Sequence, residues 1–165
     1  MTILSDDEIN EACSTILERV STYEPHLYAM FQVMYNLGTR ESESVELNRW
    51  RVSGFHLLDL QTMKRGGIRV IRYDDLPELF INTVLDPPTR GFLYSARNLR
   101  ATFDKFSPYS KITCKNKDIS CHLFRHNKMK LLFNEGNSYE QIKNYFAVSD
   151  EFVAQYYVDS IIEAE

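Results

Sequence analysis

Two tetrapeptides, Ser5-Asp6-Asp7-Glu8 and Ser138-Tyr139-Glu140-Gln141, have a form that leaves a chain few options at those points. A serine hydroxyl can accept from the third backbone N–H of a helix while the glutamate or glutamine reaches back to the N–H of the serine, so each predicts a helix start. After the first, Ile9, Ala12, Cys13, Ile16, Leu17 and Val20 recur at helical spacing. Pro25 suits the first turn of a second helix through Leu27, Met30, Phe31, Met34 and Tyr35, and Gly38 can end it in a left-handed conformation. Arg40 then falls just past a helix end, before a third short helix with Val45 and Leu47.

The texture changes once. Phe55 to Thr62 and Ile68 to Arg72 alternate around Gly66-Gly67, which predicts a two-stranded hairpin with Lys64 and Arg65 at its tip. Asp74-Asp75 is expected to cap a helix through Leu76, Leu79, Phe80 and Val84, stopped by Asp86-Pro87-Pro88. Phe92-Leu93-Tyr94 reads as a brief extended piece, and Ser95 as the cap of a helix reaching Phe106. A polar, basic loop, Ser107 to Asp118, precedes a helix capped at Ser120 with the apolar stripe Leu123, Phe124, Met129, Leu131, Leu132 and Phe133. Gly136 ends it. Ser149 caps a last helix through Phe152, Val153, Tyr156, Tyr157 and Ile161. The expected class is α+β, mainly α with a small antiparallel β-sheet, in one domain over residues 1–165.

Several function classes are disfavoured by composition. No apolar run approaches the ~18 residues of a membrane span, and Met1 to Asn10 is acidic where a secretory leader would be basic and then apolar. Cys13, Cys114 and Cys121 form an odd set without metal-ligand spacing, which suits reduced thiols; a cytoplasmic location with no membrane contact, no cofactor and no metal is expected. The net charge of −4 argues against a protein that coats nucleic acid with its whole surface. Its distribution is uneven: Arg97 to Lys130 carries about +7, and Glu135 to Glu165 about −6. A basic central face remains compatible with a nucleic-acid groove.

The chemistry-bearing residues are Arg40, Lys64, His122 and Arg125 in Cys121-His122-Leu123-Phe124-Arg125-His126, and Tyr157. Taken singly, each has a plain explanation. An arginine after a helix C-terminus complements the helix dipole; a lysine at a turn is solvated; a histidine can satisfy a helix start; a tyrosine on an amphipathic helix is usually core. Order and spacing change the reading. Gly38-Thr39-Arg40-Glu41-Ser42-Glu43, with Leu47 following, resembles the Gly-x-Arg-x-x-Glu box of the tyrosine recombinases (phage integrase family). His122-Leu123-Phe124-Arg125-His126 resembles that family's His-x-Leu-Arg-His box, with Phe124 for the usual leucine, and Gly136-Asn137-Ser138 with Ile142 matches the turn beyond it. Phe146-Ala147-Val148 stands where the family has Leu-Gly-His or Leu-Gly-Trp, and Tyr157 follows nine residues after Val148. Val148 departs from the pattern, since valine cannot hydrogen-bond a phosphate as imidazole or indole does.

The resemblance covers nearly the whole chain and implies the tyrosine recombinase catalytic-domain fold, without an N-terminal core-binding domain. It implies a site-specific recombinase or integrase that cuts and rejoins double-stranded DNA through a 3′-phosphotyrosine. In that reading Tyr157 is the nucleophile with Tyr156 as competitor, Arg40 and Arg125 clamp the phosphate, His122 is base or charge-stabilising donor, and Lys64 is the acid, with Arg65 as its alternative. Arg65, Arg97 and Lys128 are further candidates for DNA contact, and His126 has a structural role. A homo-oligomer on DNA, dimer or tetramer, is expected. The alternatives are a DNA-binding protein that kept this fold with weakened or lost chemistry, and a helical protein-interaction module.

Overall fold

The second helix holds the molecule together, because it is apolar on two faces, each turned to a different core. In the computed structural model, which describes residues 2–62, 67–88 and 93–164 and their side chains except those of Asp150 and Tyr157, α2 (Pro25–Leu37) starts with Pro25 in its first turn and the Glu24 carboxylate accepting from the Leu27 N–H. Leu27, Met30, Phe31 and Met34 face one core, and Ala29, Val33 and Leu37 face another. Gly38 closes the helix with φ of 66°.

The first core lies among α2, α1 (Asp6–Ser21), α5 (Ala96–Phe106) and α6 (His122–Asn134). Reciprocal bonds between Ser5 and Glu8, 3.1 and 3.0 Å, open α1 as its sequence dictates. The second core lies between α2, α4 (Glu78–Leu85) and a three-stranded antiparallel sheet of β2 (Trp50–Gly54), β3 (Leu57–Gln61) and β4 (Ile68–Arg72) in that order. Leu58, Leu60 and Ile71 point inward from it. A third core packs α6 against α7 (Tyr139–Phe146) and α8 (Asp150–Val158). Between α2 and α4, residues Glu41–Val45 form the short α3. A second small sheet, order β1-β7-β5-β6, joins β1 (Thr2–Ile3), β7 (Ile161–Glu163), β5 (Ile112–Cys114) and β6 (Lys117–Asp118).

The chain is mainly helical with small antiparallel sheets, as its sequence predicts, and the differences have local causes. The hairpin has a third strand, β2, which exposes Arg51, Val52 and Ser53 at a sheet edge and so lacks the alternation that marks a half-buried strand. Lys64, Arg65 and Gly66 at its predicted tip lie outside the described residues. The helix expected from Leu76 begins at Glu78, because Pro77 keeps Leu76 extended and Asp74-Asp75 sit in a 3-10 turn. Leu93 and Tyr94 form a bend, and Phe92 lies outside the described residues. The basic loop after Ser107 contains β5 and β6, joined through Lys115 and Asn116, both with positive φ as a two-residue hairpin turn requires. The last helix stops at Val158, and Ile161 pairs with Cys114 in the sheet.

Gly38 is a place where no side chain fits. A Cβ there would lie 2.8 Å from the Phe146 ring and 2.9 Å from the Lys128 Cβ, on backbone already in the left-handed region. Gly38→Ala is expected to destabilise the fold by roughly 2–4 kcal/mol, combining left-handed strain with overpacking. The thermal midpoint should fall by about 5–15 °C; a drop below ~2 °C would show that the junction yields easily.

Candidate active site

Two carbonyls at the end of α2 set the site. The last turn of a helix leaves its C=O groups without intrahelical partners and carries negative partial charge. Arg125 Nη1 donates to the Gly38 oxygen at 2.9 Å, and Arg69 Nη2 donates to the Leu37 oxygen at 3.0 Å. Both guanidiniums lie over the Phe146 ring, at 4.8 and 5.2 Å from its centroid, and Arg69 also lies 4.8 Å from that of Tyr145. Arg125 is 1% exposed and Arg69 4%. Among the described residues, Nε and Nη2 of Arg125 and Nε and Nη1 of Arg69 are buried without a hydrogen-bond partner. Burial lowers the pKa of both; the Arg69 guanidinium comes down to about 10, and Arg40 adds its repulsion at Arg125.

Arg40 is fixed by its own helix. It occupies the N-cap of α3, where its backbone N–H donates to Glu43 Oε1 at 2.8 Å and its Nη1 to Oε2 at 3.1 Å. Glu43 is fully buried, and its backbone oxygen accepts from the Trp50 indole at 2.8 Å. The ion pair therefore has a rigid base. Arg125 reaches the carbonyl two residues before Arg40, so the two guanidiniums that the sequence singles out share one region.

His122 and Arg125 are three residues apart on α6 and project from neighbouring faces. The His122 Nε2 and the Tyr156 hydroxyl are 2.5 Å apart. Tyr156 is 5% exposed; its ring lies 4.5 Å from that of His126, and the Arg125 guanidinium lies 5.9 Å from its centroid. Burial raises the phenol pKa, and the charges of Arg125 and Arg40 oppose that rise. Tyr156 is thus a protonated hydroxyl facing a cationic site. His126, one turn beyond His122, is 3% exposed, and burial lowers its pKa to about 3, which keeps the ring neutral near pH 7.

The structure brings Arg40, His122 and Arg125 together. Tyr157 lies in α8, whose neighbouring Tyr156 enters the site, but its side chain is outside the described set, as are Lys64 and Arg65. The ends of the segment carrying Lys64 are fixed: the Thr62 N–H donates to the Gly67 oxygen at 3.2 Å, and the Gly67 N–H to the Ala147 oxygen at 3.0 Å. Ala147 adjoins Val148, which is half-buried against the third core. Lys128 lies at the margin, its ammonium 5.6 Å from the Tyr145 centroid and its pKa lowered by burial. Arg97 is exposed on α5. Much of the central basic stretch is balanced locally by Arg100–Glu41, Lys111–Asp118, Lys115–Asp159 and Lys130–Asp6 ion pairs.

Sequence reasoning missed Arg69 as a site residue. The signal was present in Ile68-Arg69-Val70-Ile71-Arg72, where strand periodicity puts Arg69 on the same inward face as Ile71.

No protein-family model matches the chain, and no curated protein does. Solved structures do. A XerA recombinase is 15% identical with a TM-score of 0.60, covering 94% of this chain and 60% of its own. A lambda integrase dimer (residues 75–356) bound to a COC′ core site is 16% identical with a TM-score of 0.64, covering 94% and 58%. A XerH site-specific recombinase, in a post-cleavage complex with a palindromic difH substrate, is 15% identical with a TM-score of 0.58, covering 89% and 48%. The chain has the tyrosine recombinase catalytic-domain fold and spans at most about three fifths of the length of these relatives.

Two adjacent buried guanidiniums with unmet donors are costly unless an anion completes them. Arg69→Met, which removes one while keeping much of its apolar stem, is therefore expected to leave folding stability within about 1 kcal/mol of wild type or to raise it. A loss above about 2 kcal/mol in denaturant unfolding would make the Leu37 carbonyl bond, and not an anion, the reason for Arg69.

Proposed function

We propose that this chain carries the catalytic centre of a DNA strand-transferase of the tyrosine recombinase type, acting on a phosphodiester of double-stranded DNA. The observation that carries the reading is the shared location of Arg40 and Arg125 beside the His122–Tyr156 pair, on a fold common to recombinases and an integrase. Tyr157 attacks the phosphorus; the bond to the DNA 5′ oxygen breaks, and a 3′-phosphotyrosine forms. Arg40 and Arg125 hold the non-bridging oxygens, where paired N–H donors oppose the developing negative charge. His122 takes the phenol proton or stabilises the charged phosphorane, and Lys64 protonates the leaving 5′ oxygen. A 5′ hydroxyl reverses the sequence, so ligation needs no nucleotide.

Tyr157 is assigned as nucleophile from its nine-residue spacing to Val148. Tyr156 is assigned a positioning role, because its hydroxyl is engaged with His122 and its pKa is raised by burial. Arg65, Arg97 and Lys128 are assigned to DNA backbone contact, and the active assembly is a dimer or tetramer on DNA in the cytoplasm. A second reading, DNA binding with weakened or lost cleavage, draws support from Val148, an apolar half-buried side chain beside the site.

The test is a nicked suicide duplex from the protein's own genetic neighbourhood, scored for a denaturation-resistant protein–DNA adduct. Wild type should form it, and Tyr157→Phe should not. Tyr156→Phe should still form it, about 10- to 100-fold more slowly, as expected for losing a buried hydrogen bond whose partner is left unsatisfied, roughly 1–3 kcal/mol. An adduct in Tyr157→Phe that vanishes in Tyr156→Phe would reverse the two assignments. Salt-sensitive duplex binding without any adduct would favour the second reading, and salt-insensitive or absent binding would remove DNA altogether.

A further inference from the structure

A separate cluster lies behind His126. Cys114 at the end of β5, His126 on α6 and Asp159 just after α8 are all buried, and each offers a ligand atom within 4.8 Å of the other two. Among the described residues, His126 Nδ1 is buried without a hydrogen-bond partner, on a side chain only 3% exposed. We propose that Cys114, His126 and Asp159 bind one divalent transition-metal ion, with zinc the best chemical fit.

The donor set carries the choice of metal. A thiolate, an imidazole and a carboxylate suit a borderline-soft dication and disfavour magnesium or calcium, which take oxygen ligands. Zinc bonds of about 2.0–2.3 Å in a tetrahedron put ligand atoms roughly 3.3–3.8 Å apart, so the side chains need to close by about 1 Å. Three protein ligands leave a fourth position for water.

Charge balance is also satisfactory. Binding removes the proton from the Cys114 thiol, so the thiolate and the Asp159 carboxylate together neutralise the dication. Lys115, which pairs with Asp159 at 3.3 Å, is 53% exposed and free to swing into solvent. Lys130, 14% exposed, donates to the Asp159 backbone oxygen at 3.1 Å, and that bond survives. The ion would join three elements at once: the strand holding the second sheet, the helix of His122 and Arg125, and the end of the helix of Tyr156. Linear spacing gives no hint of this, because the ligands come from three distant points in the chain.

The experiment uses the full chain stripped with a chelator and titrated with Zn²⁺ by calorimetry, then with Co²⁺ followed by absorption. Wild type should bind one ion, develop a thiolate-to-cobalt charge-transfer band, release close to one proton near neutral pH, and melt at a higher temperature with Zn²⁺. Cys114→Ser should lose the band, and Cys114→Ser and Asp159→Asn should each weaken binding by more than the 10- to 100-fold that loss of an outer hydrogen-bond partner typically costs. Their metal-free melting provides the folding control. Absence of stoichiometric binding in wild type overturns the proposal. So does binding, or a charge-transfer band, that persists unchanged in Cys114→Ser, which would assign the ion to Cys13, Cys121 or the surface.

Discussion

The C-terminus of α2 is where this molecule concentrates its electrostatic constraint. Its unsatisfied carbonyls form a small negative pole inside the protein, and the fold answers with two guanidiniums, one from a strand and one from a helix, stacked on the same phenylalanine. Each bond spans elements far apart in sequence, so the pole defines how β4, α6 and α7 approach one another. Gly38 makes that approach possible, since Phe146 and Lys128 occupy the space of its missing side chain. The same arrangement leaves cationic donors over at a single place. A feature that organises packing therefore also leaves buried cationic donors that an anion would complete.

The helix α6 shows how tightly packing and chemistry are coupled. It buries Leu123, Phe124, Met129 and Leu132, as an ordinary core helix does, but also Arg125, His126 and Asn127. A polar run at the centre of a domain is stable only with partners. Asn127 finds Asn10 at 3.1 Å, Arg125 finds the Gly38 carbonyl, and His126 Nδ1 finds none among the described residues. The unmet nitrogens of Arg125 and His126 are the two places on this helix where a bound group would most improve the energetics.

Much of this was legible in the residues. Capping boxes at Ser5 and Ser138, Pro25 at a helix start and Gly38 at a helix end each act through bonds a few residues long, and the structure forms each as expected. Features decided by distant contacts were not legible. β2 is held by β3 and not by its own alternation, and β7 replaces the expected end of the last helix because Ile161 finds Cys114 and Leu4 across the second sheet. In the site, Arg40, His122 and Arg125 could be picked out by their order. The engagement of Tyr156 with His122 could not, because adjacent tyrosines differ only in the direction that a helix gives them. Arg69 is placed inward by strand periodicity alone, although an inward arginine runs against the usual burial preference.

The second sheet bears on how the molecule assembles. Thr2 and Ile3 pair with Glu163 and Ile162, so that ladder closes a loop of nearly the entire polypeptide, and only a few residue pairs repay the entropy. Contacts of such long sequence separation form late and open early. The α1–α2 pair, adjacent in sequence, can consolidate first, and the β1–β7 seam, a few residue pairs at one side of the second sheet, closes later. Because β7 also pairs with β5 and Ile161 is buried, opening of that seam leaves β7 in place, so the tyrosine-bearing helix stays tethered at its C-terminal end while the first strand exchanges.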